Sequence, residues 1–249
     1  PPRSTLFPYT TLFRSGYAGG LVGKNGVPAG ASYGSSIVSS HALGNVSSSG
    51  GDYLGGLVGA NYAGAISDSY ATGNVSGAGN YHGGLAGISD RDSTISGVHA
   101  TGSVSSSGNY IGGLIGELTT GSLENAYATG NVSGNDYVGG LIGRQGNDIY
   151  SANVTIAHAT GDVVGNQYVG GLVGSAYLAS TVSRAYATGN VSSSFSVAMI
   201  GGLVGHIKGR VSLDQVYATG DVTASGGSIG GLVGKVLGEY GTVVITDAY

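Results

Sequence analysis

The feature that most constrains this chain is a block that keeps returning. Gly-Gly-Leu recurs at Gly19, Gly55, Gly83, Gly112, Gly139, Gly170, Gly201 and Gly230, at intervals of 27 to 36 residues. Between these marks Ala-Thr-Gly-(Asn/Asp/Ser)-Val returns at Ala71, Ala100, Ala128, Ala159, Ala187 and Ala218, with a variant at Ala42. A period of this size marks a repeated supersecondary unit that cannot bury its own apolar face and stacks on its neighbours to do so. Within a unit the period is that of a strand. Residues 66–75 (ISDSYATGNV) alternate short polar and apolar side chains, are rich in β-branched and aromatic types, and are broken by Gly and Asn. The expectation is an all-β chain forming a parallel β-solenoid of about seven to eight coils of 27–36 residues. Three short strands per coil are expected, around Gly-Gly-Leu, around Ile-x-x-(Ser/Ala)-(Tyr/His)-Ala and around Asn-Val-Ser. With adjacent strands about 4.8 Å apart, eight such coils make a rod about 40 Å long.

Composition narrows the alternatives. The chain has 51 glycines in 249 residues but no Gly-X-Y period, which excludes collagen. Apolar residues make up 41%, enough to line a narrow continuous core and too many for a disordered linker. Charged residues are only 9%, the net charge is -4, and the nine basic residues are scattered, so no patch exists to neutralise phosphates and nucleic acid is not an expected partner. The absence of cysteine rules out disulfides and thiolate metal sites, and fits an extracellular bacterial protein. No apolar run is long enough to cross a membrane as a helix, so no membrane insertion is expected. The chain does not begin with Met and stops inside an eighth copy of its block, and is read as a segment of a longer protein.

Residues 1–15 stand outside the pattern. They hold three of the four prolines and no glycine, and their core, TLFPYTTLFRS, resembles a translated sequencing-adaptor fragment; the other reading is an atypical capping coil. From 16 to 249 the coils run on, the first carrying an insertion at 24–36 that is expected to bulge as a loop.

Side-chain parity assigns the faces. In residues 70–75, Ala71 and Val75 are the inward pair, Tyr70 and Thr72 point outward, and Asn74 sits at a corner. The corner column is Asn45, Asn74, Asn131, Asp162, Asn190 and Asp221, residues that suit tight turns and bond to their own backbone. Stacked in register, they are also expected to form an amide ladder. The Gly-Gly pair implies a bulge or a corner with positive φ. Leu57, Leu85, Leu114, Leu141, Leu172, Leu203 and Leu232 are expected in the core.

The unit Tyr-Val-Gly-Gly-Leu-Ile-Gly at 137–143, together with Tyr-Ala-Thr-Gly-Asn-Val at 127–132, resembles the GLUG repeat. That repeat occurs in large bacterial surface proteins, in adhesins of the filamentous-haemagglutinin kind and in IgA-protease-like peptidases. The resemblance covers residues 16–249. It implies a β-solenoid segment of a secreted or surface protein and implies no catalytic residues.

No constellation in the residues themselves argues for an enzyme. His41, His99 and His158 fill the slot that Tyr70, Tyr127, Tyr186 and Tyr217 fill in other copies, two coils or about 10 Å apart, too far to share a metal ion. His82 and His206 lie in isolated, variable positions. Asp162 and Asp221 share the corner column about 10 Å apart and point the same way, which does not make a hydrolytic pair. Asp90-Arg91-Asp92 reads as a solvated turn or a weak Ca²⁺ contact. No catalytic residue, metal ligand or cofactor is expected. The one strip that could contact a ligand is the outward Tyr/Thr pair of columns: Tyr70 and Thr72, Tyr127 and Thr129, Tyr186 and Thr188, Tyr217 and Thr219. Its uses would be glycan contact or water ordering, set against cross-coil stacking that merely stabilises the sheet. The expected role is a rigid structural or adhesive extracellular segment, with self-association, neighbouring domains, glycans or a host surface as partners. The alternatives are a carbohydrate-binding solenoid and a non-catalytic spacer attached to a secreted peptidase.

Overall fold

The computed structural model describes residues 11–13, 16–26, 35–239 and 241–249, the first three by backbone alone. Among these residues there is no helix. The chain is an all-β parallel solenoid. Between the two ends of the stack, strands pair with their counterparts one coil before and one coil after, as in the series Gly83↔Gly112, Gly112↔Gly139, Gly139↔Gly170 and Gly170↔Gly201.

Four sheets run the length of the stack, not three. The first runs from Tyr17–Gly19 to Gly227–Gly230 and the second from Val22–Gly26 to Val233–Leu237. The third includes Ser36–Val38 and His41–Ala42 in the first coil and ends at Val244–Ala248; the fourth runs from Thr11–Phe13 to Val222–Ala224. The extra sheet comes from the Gly-Gly-Leu block, which is not one strand but the corner between two, for instance Val138–Gly139 and Ile142–Gln145. The choice between an adaptor-like tail and a cap for residues 1–15 falls mainly outside the described residues; Thr11–Phe13 pairs with Val46–Ser48. The insertion expected to bulge at 24–36 lies outside them over 27–34, while Val22–Gly26 is a strand of the second sheet.

Alternation places the core as parity requires. Ala71 and Val75 are buried, Thr72 and Asn74 are exposed, and Tyr70 is half-buried. Leu57, Leu85, Leu114, Leu141, Leu172 and Leu203 are fully buried; Leu232, with a coil on one side only, is half-buried. The interior has two lobes. One holds the Leu57, Val58, Ile66 and Ala71 columns, and the other holds the Val75 and Leu54 columns.

Between the lobes the solenoid narrows to a waist, and the waist explains the repeat's small residues. A Cβ placed on Gly140 would sit 3.0 Å from the Ala159 Cβ and 2.1 Å from the Gly171 carbonyl oxygen. The same geometry recurs at Gly56 against Ala71 and at Gly113 against Ala128. No glycine of a Gly-Gly-Leu block has φ in the left-handed region, so the positive-φ corner expected there is replaced by close backbone approach. Positive φ falls elsewhere: on Tyr81, Tyr110 and Tyr137 just before the pair, and on a column two residues before the outward ring, which includes Asp68, Gly97, Asn125 and even the β-branched Ile156.

Candidate functional site

The outward rings form one ladder. His41, Tyr70, His99, Tyr127, His158, Tyr186, Tyr217 and Tyr249 stack with centroids 4.7–5.2 Å apart and planes within 2–7° of parallel. The coil spacing alone produces this, because each strand sits in register on the next and upright side chains then stack at the strand interval. A Tyr ring separates each His from the next in this stack, so the three histidines are rungs and share no ion. Burial between the neighbouring rings lowers the pKa of His99 and His158 below the ordinary imidazole value. Both π faces of each inner ring are covered; solvent meets ring edges, Tyr hydroxyls and imidazole nitrogens.

Two residues further along each strand stand Thr72, Thr101, Thr129, Thr160, Thr188 and Thr219, all exposed. Their backbone N–H groups are used, as in Thr129 N–H donating to the Ala100 carbonyl at 3.1 Å. The structure therefore brings the eight strip residues Tyr70, Thr72, Tyr127, Thr129, Tyr186, Thr188, Tyr217 and Thr219 into two parallel rows.

The corner column is a ladder of another kind than expected. The Asn45 Oδ1 accepts from the Asn74 N–H (2.8 Å), Asn74 Oδ1 from Ser103 N–H (2.8 Å), Asn131 Oδ1 from Asp162 N–H (3.0 Å), Asp162 Oδ1 from Asn190 N–H (2.8 Å) and Asn190 Oδ1 from Asp221 N–H (3.0 Å). Each side chain caps the next coil's backbone instead of its own, and no amide-to-amide chain forms there. The reason is that a corner N–H has no strand partner, so a side-chain oxygen one rung below satisfies it. Only an oxygen acceptor is required, which is why Asn and Asp interchange.

Two further ladders are absent from the sequence reading. Tyr17, Tyr53, Tyr81, Tyr110, Tyr137 and Tyr168 stack at 4.5–4.9 Å. An Asx series joins Asp52, Asn80, Asn109, Asn135 and Asn166, and here amide-to-amide bonds do occur, as from Asn166 Nδ2 to Asn135 Oδ1 at 2.6 Å. The signal for the first was in plain view, a Tyr two residues before each Gly-Gly pair through Tyr168.

Under the second ring ladder lies a short buried polar track on the second sheet. Arg144 Nη2 donates to Glu117 Oε1 at 2.7 Å, with Glu117 only 3% exposed, and the guanidinium lies over the Tyr110 ring at 4.4 Å. Burial pushes the Glu117 carboxyl up, with Arg144 opposing, and pushes Tyr81 up to about 12. His82 and His206, isolated in the sequence, are both buried. His82 is fully buried between Leu54 and Ile111 in the first sheet, and His206 is buried with Nδ1 3.0 Å from the Ser175 hydroxyl. Burial lowers both imidazoles to about 4, so both are neutral near pH 7.

The Asp90-Arg91-Asp92 turn lines a cavity of about 370 Å³ with Thr120 and Tyr150. Its polar groups are spent locally: Thr120 Oγ1 donates to Asp90 Oδ1 at 3.3 Å, the Asp92 N–H donates to Thr120 Oγ1 at 2.7 Å, and Arg91 lies over the Tyr62 ring. Among the described residues no three His, Asp or Glu side chains converge as metal ligands would.

With these columns in place, the comparison with protein families is informative. The model of the GLUG motif matches residues 50–76, 107–133 and 165–192. The chain carries three GLUG motifs. Each match begins near a Gly-Gly-Leu corner and ends in the Asn-Val-Ser strand. The same ring, Gly-Gly, Ala and Asx columns run through the unmatched coils between them. Comparisons with curated proteins and with solved structures find no match.

Proposed function

We propose that this GLUG-repeat solenoid is a rigid, extended structural segment, a stalk or fibre element of a protein displayed outside a bacterial cell, where it carries or forms an adhesive surface. The observation that supports this most is the unbroken stacking. All four sheets pass through every coil with register kept, so a bend or twist at one coil would disturb four parallel ladders at once. Such an object resists deformation along its length and repeats the same small surface at each rung, so that weak contacts add. On this reading the segment is not catalytic and takes no cofactor, and its partners are neighbouring domains, further copies of itself, or a host surface.

Electron microscopy of the native material tests it. Straight rods or continuous fibres with an axial repeat of about 4.8 Å per coil are expected. Flexible beads or compact globules with no axial repeat would overturn the proposal.

A further inference from the structure

The strip made by the outward ring ladder and the Thr column has properties that select a ligand. Side chains two apart on one strand lie on one face about 7 Å from each other, so the ladder and the Thr row are the low walls of a straight, shallow strip parallel to the solenoid axis, and a ligand lies across their tips. Its floor is the backbone of the Ala71, Ala100, Ala128, Ala159 and Ala187 column, whose methyl groups point into the core. That floor offers little, because the coil-to-coil bonds consume its polar groups, as in Thr160 N–H to Ala128 carbonyl and Thr188 N–H to Ala159 carbonyl. Recognition has to come from the walls.

The walls are well supplied. The hydroxyls of Thr72, Thr101, Thr129, Thr160, Thr188 and Thr219 make no hydrogen bond to any described residue, in contrast to Thr155 and Thr181 on the same sheet, which bond to Ser183 and Asn153. The ring wall adds one Tyr hydroxyl or one imidazole per rung. The Tyr and Thr side chains carry no charge near neutral pH, and burial lowers the pKa of His99 and His158 in the ring wall, which keeps those two unprotonated there. The pitch is fixed at 4.7–5.2 Å per rung. Because each inner ring has both faces covered, a sugar cannot lie flat on one ring; a ligand must lie along the row and meet ring edges.

We infer that this strip binds an extended, uncharged β-1,4-linked polysaccharide laid along the solenoid axis. Such a chain is straight, has no charge, and advances one pyranose ring over roughly one strand spacing. Every sugar therefore meets one Thr hydroxyl on one side and one ring edge with its hydroxyl or nitrogen on the other; because neighbouring sugars of the chain are turned over, the same sugar edge returns to the same side at every second rung. Each contact is weak, and affinity comes from repeating it over several rungs. The inference does not depend on whether the rod is a stalk or a fibre.

Calorimetry of the whole chain with cellulose-derived β-1,4-glucan oligomers tests it. Affinity should rise at least about tenfold from the disaccharide to the hexasaccharide and change little from low to high salt, since no ion pair is involved. The triple variant Thr129→Val, Thr160→Val, Thr188→Val keeps side-chain shape while removing three central hydroxyls, and should weaken hexasaccharide binding by about tenfold or more. Changing Ser76, Ser105 and Ser133 to Ala, on the neighbouring exposed column, should leave binding unchanged. Absence of binding, affinity independent of oligomer length, or equal binding by the triple-Val protein with an unchanged melting curve would each overturn it.

Discussion

The waist predicts that one motif position responds to the same substitution in opposite ways. Gly140 and Gly231 are both the second glycine of a Gly-Gly-Leu block. A Cβ on Gly140 would lie 2.1 Å from the Gly171 carbonyl oxygen, where ordinary contact begins at 3.4 Å, so the coils must part locally by more than an ångström. That movement strains the bonds from Gly140 N–H to Gly170 carbonyl (3.2 Å) and from Leu141 N–H to Leu172 carbonyl (2.9 Å). Two weakened bonds at about 1 kcal/mol each and about 1–3 kcal/mol of overpacking put Gly140→Ala at about 3–5 kcal/mol destabilising. A Cβ on Gly231 meets nothing within 4 Å. There the lower entropy of the unfolded chain remains, and Gly231→Ala should be neutral or stabilise by up to about 1 kcal/mol. Urea unfolding of the two variants, with hydrogen exchange to localise the loss, measures both. Equal effects would refute the argument, because they would mean that the glycine serves the backbone conformation of its own coil and not the approach of the next.

Two other perturbations follow from buried polar groups. Glu117→Gln strands the Arg144 charge and should cost about 3 kcal/mol, while Glu117→Leu combined with Arg144→Leu should recover most of it, since Ala60 and Ile88 already fill that column in earlier coils; a double-mutant cycle by urea unfolding checks the coupling. Acid should loosen the solenoid through His82. Its pKa is about 4 when folded against 6.5 unfolded, so the unfolded chain binds more protons between those values and stability falls as pH drops through 6.5, levelling off below about 4. The loss is about 3 kcal/mol from this one residue, His206 adding in the same direction, and His82→Leu should remove its share; an unchanged pH-stability curve for that variant would show that the imidazole is not what titrates.

The repeat made most of this architecture legible before any coordinates. Period alone specified stacked coils, and alternation in residues 70–75 placed Ala71 and Val75 inside and Thr72 outside, because strand parity is a local property of the backbone. Interchange of His and Tyr in one slot likewise showed that the slot wants a flat ring and not an imidazole. What parity could not cross was the Gly-Gly corner. There the chain turns between two sheets, and the reason for glycine lies in the Ala and carbonyl of other strands, so neither the fourth sheet nor the waist could be read locally. The corner Asx ladder has the same origin. Which N–H an Asn oxygen serves depends on what lies one rung away, and Asn74 reaches Ser103, 29 positions along the chain. The burial of His82 and the pairing of Glu117 with Arg144 also appear only when coils are superimposed: His82 is the odd residue in an otherwise apolar column, and Glu117 meets Arg144 only because the two fall in register one coil apart. The sequence by itself determined the period, the strand character and which face of each strand is inward. Tertiary structure decided what each residue meets on the coil above and below, since in a solenoid every decisive contact is made about one repeat away.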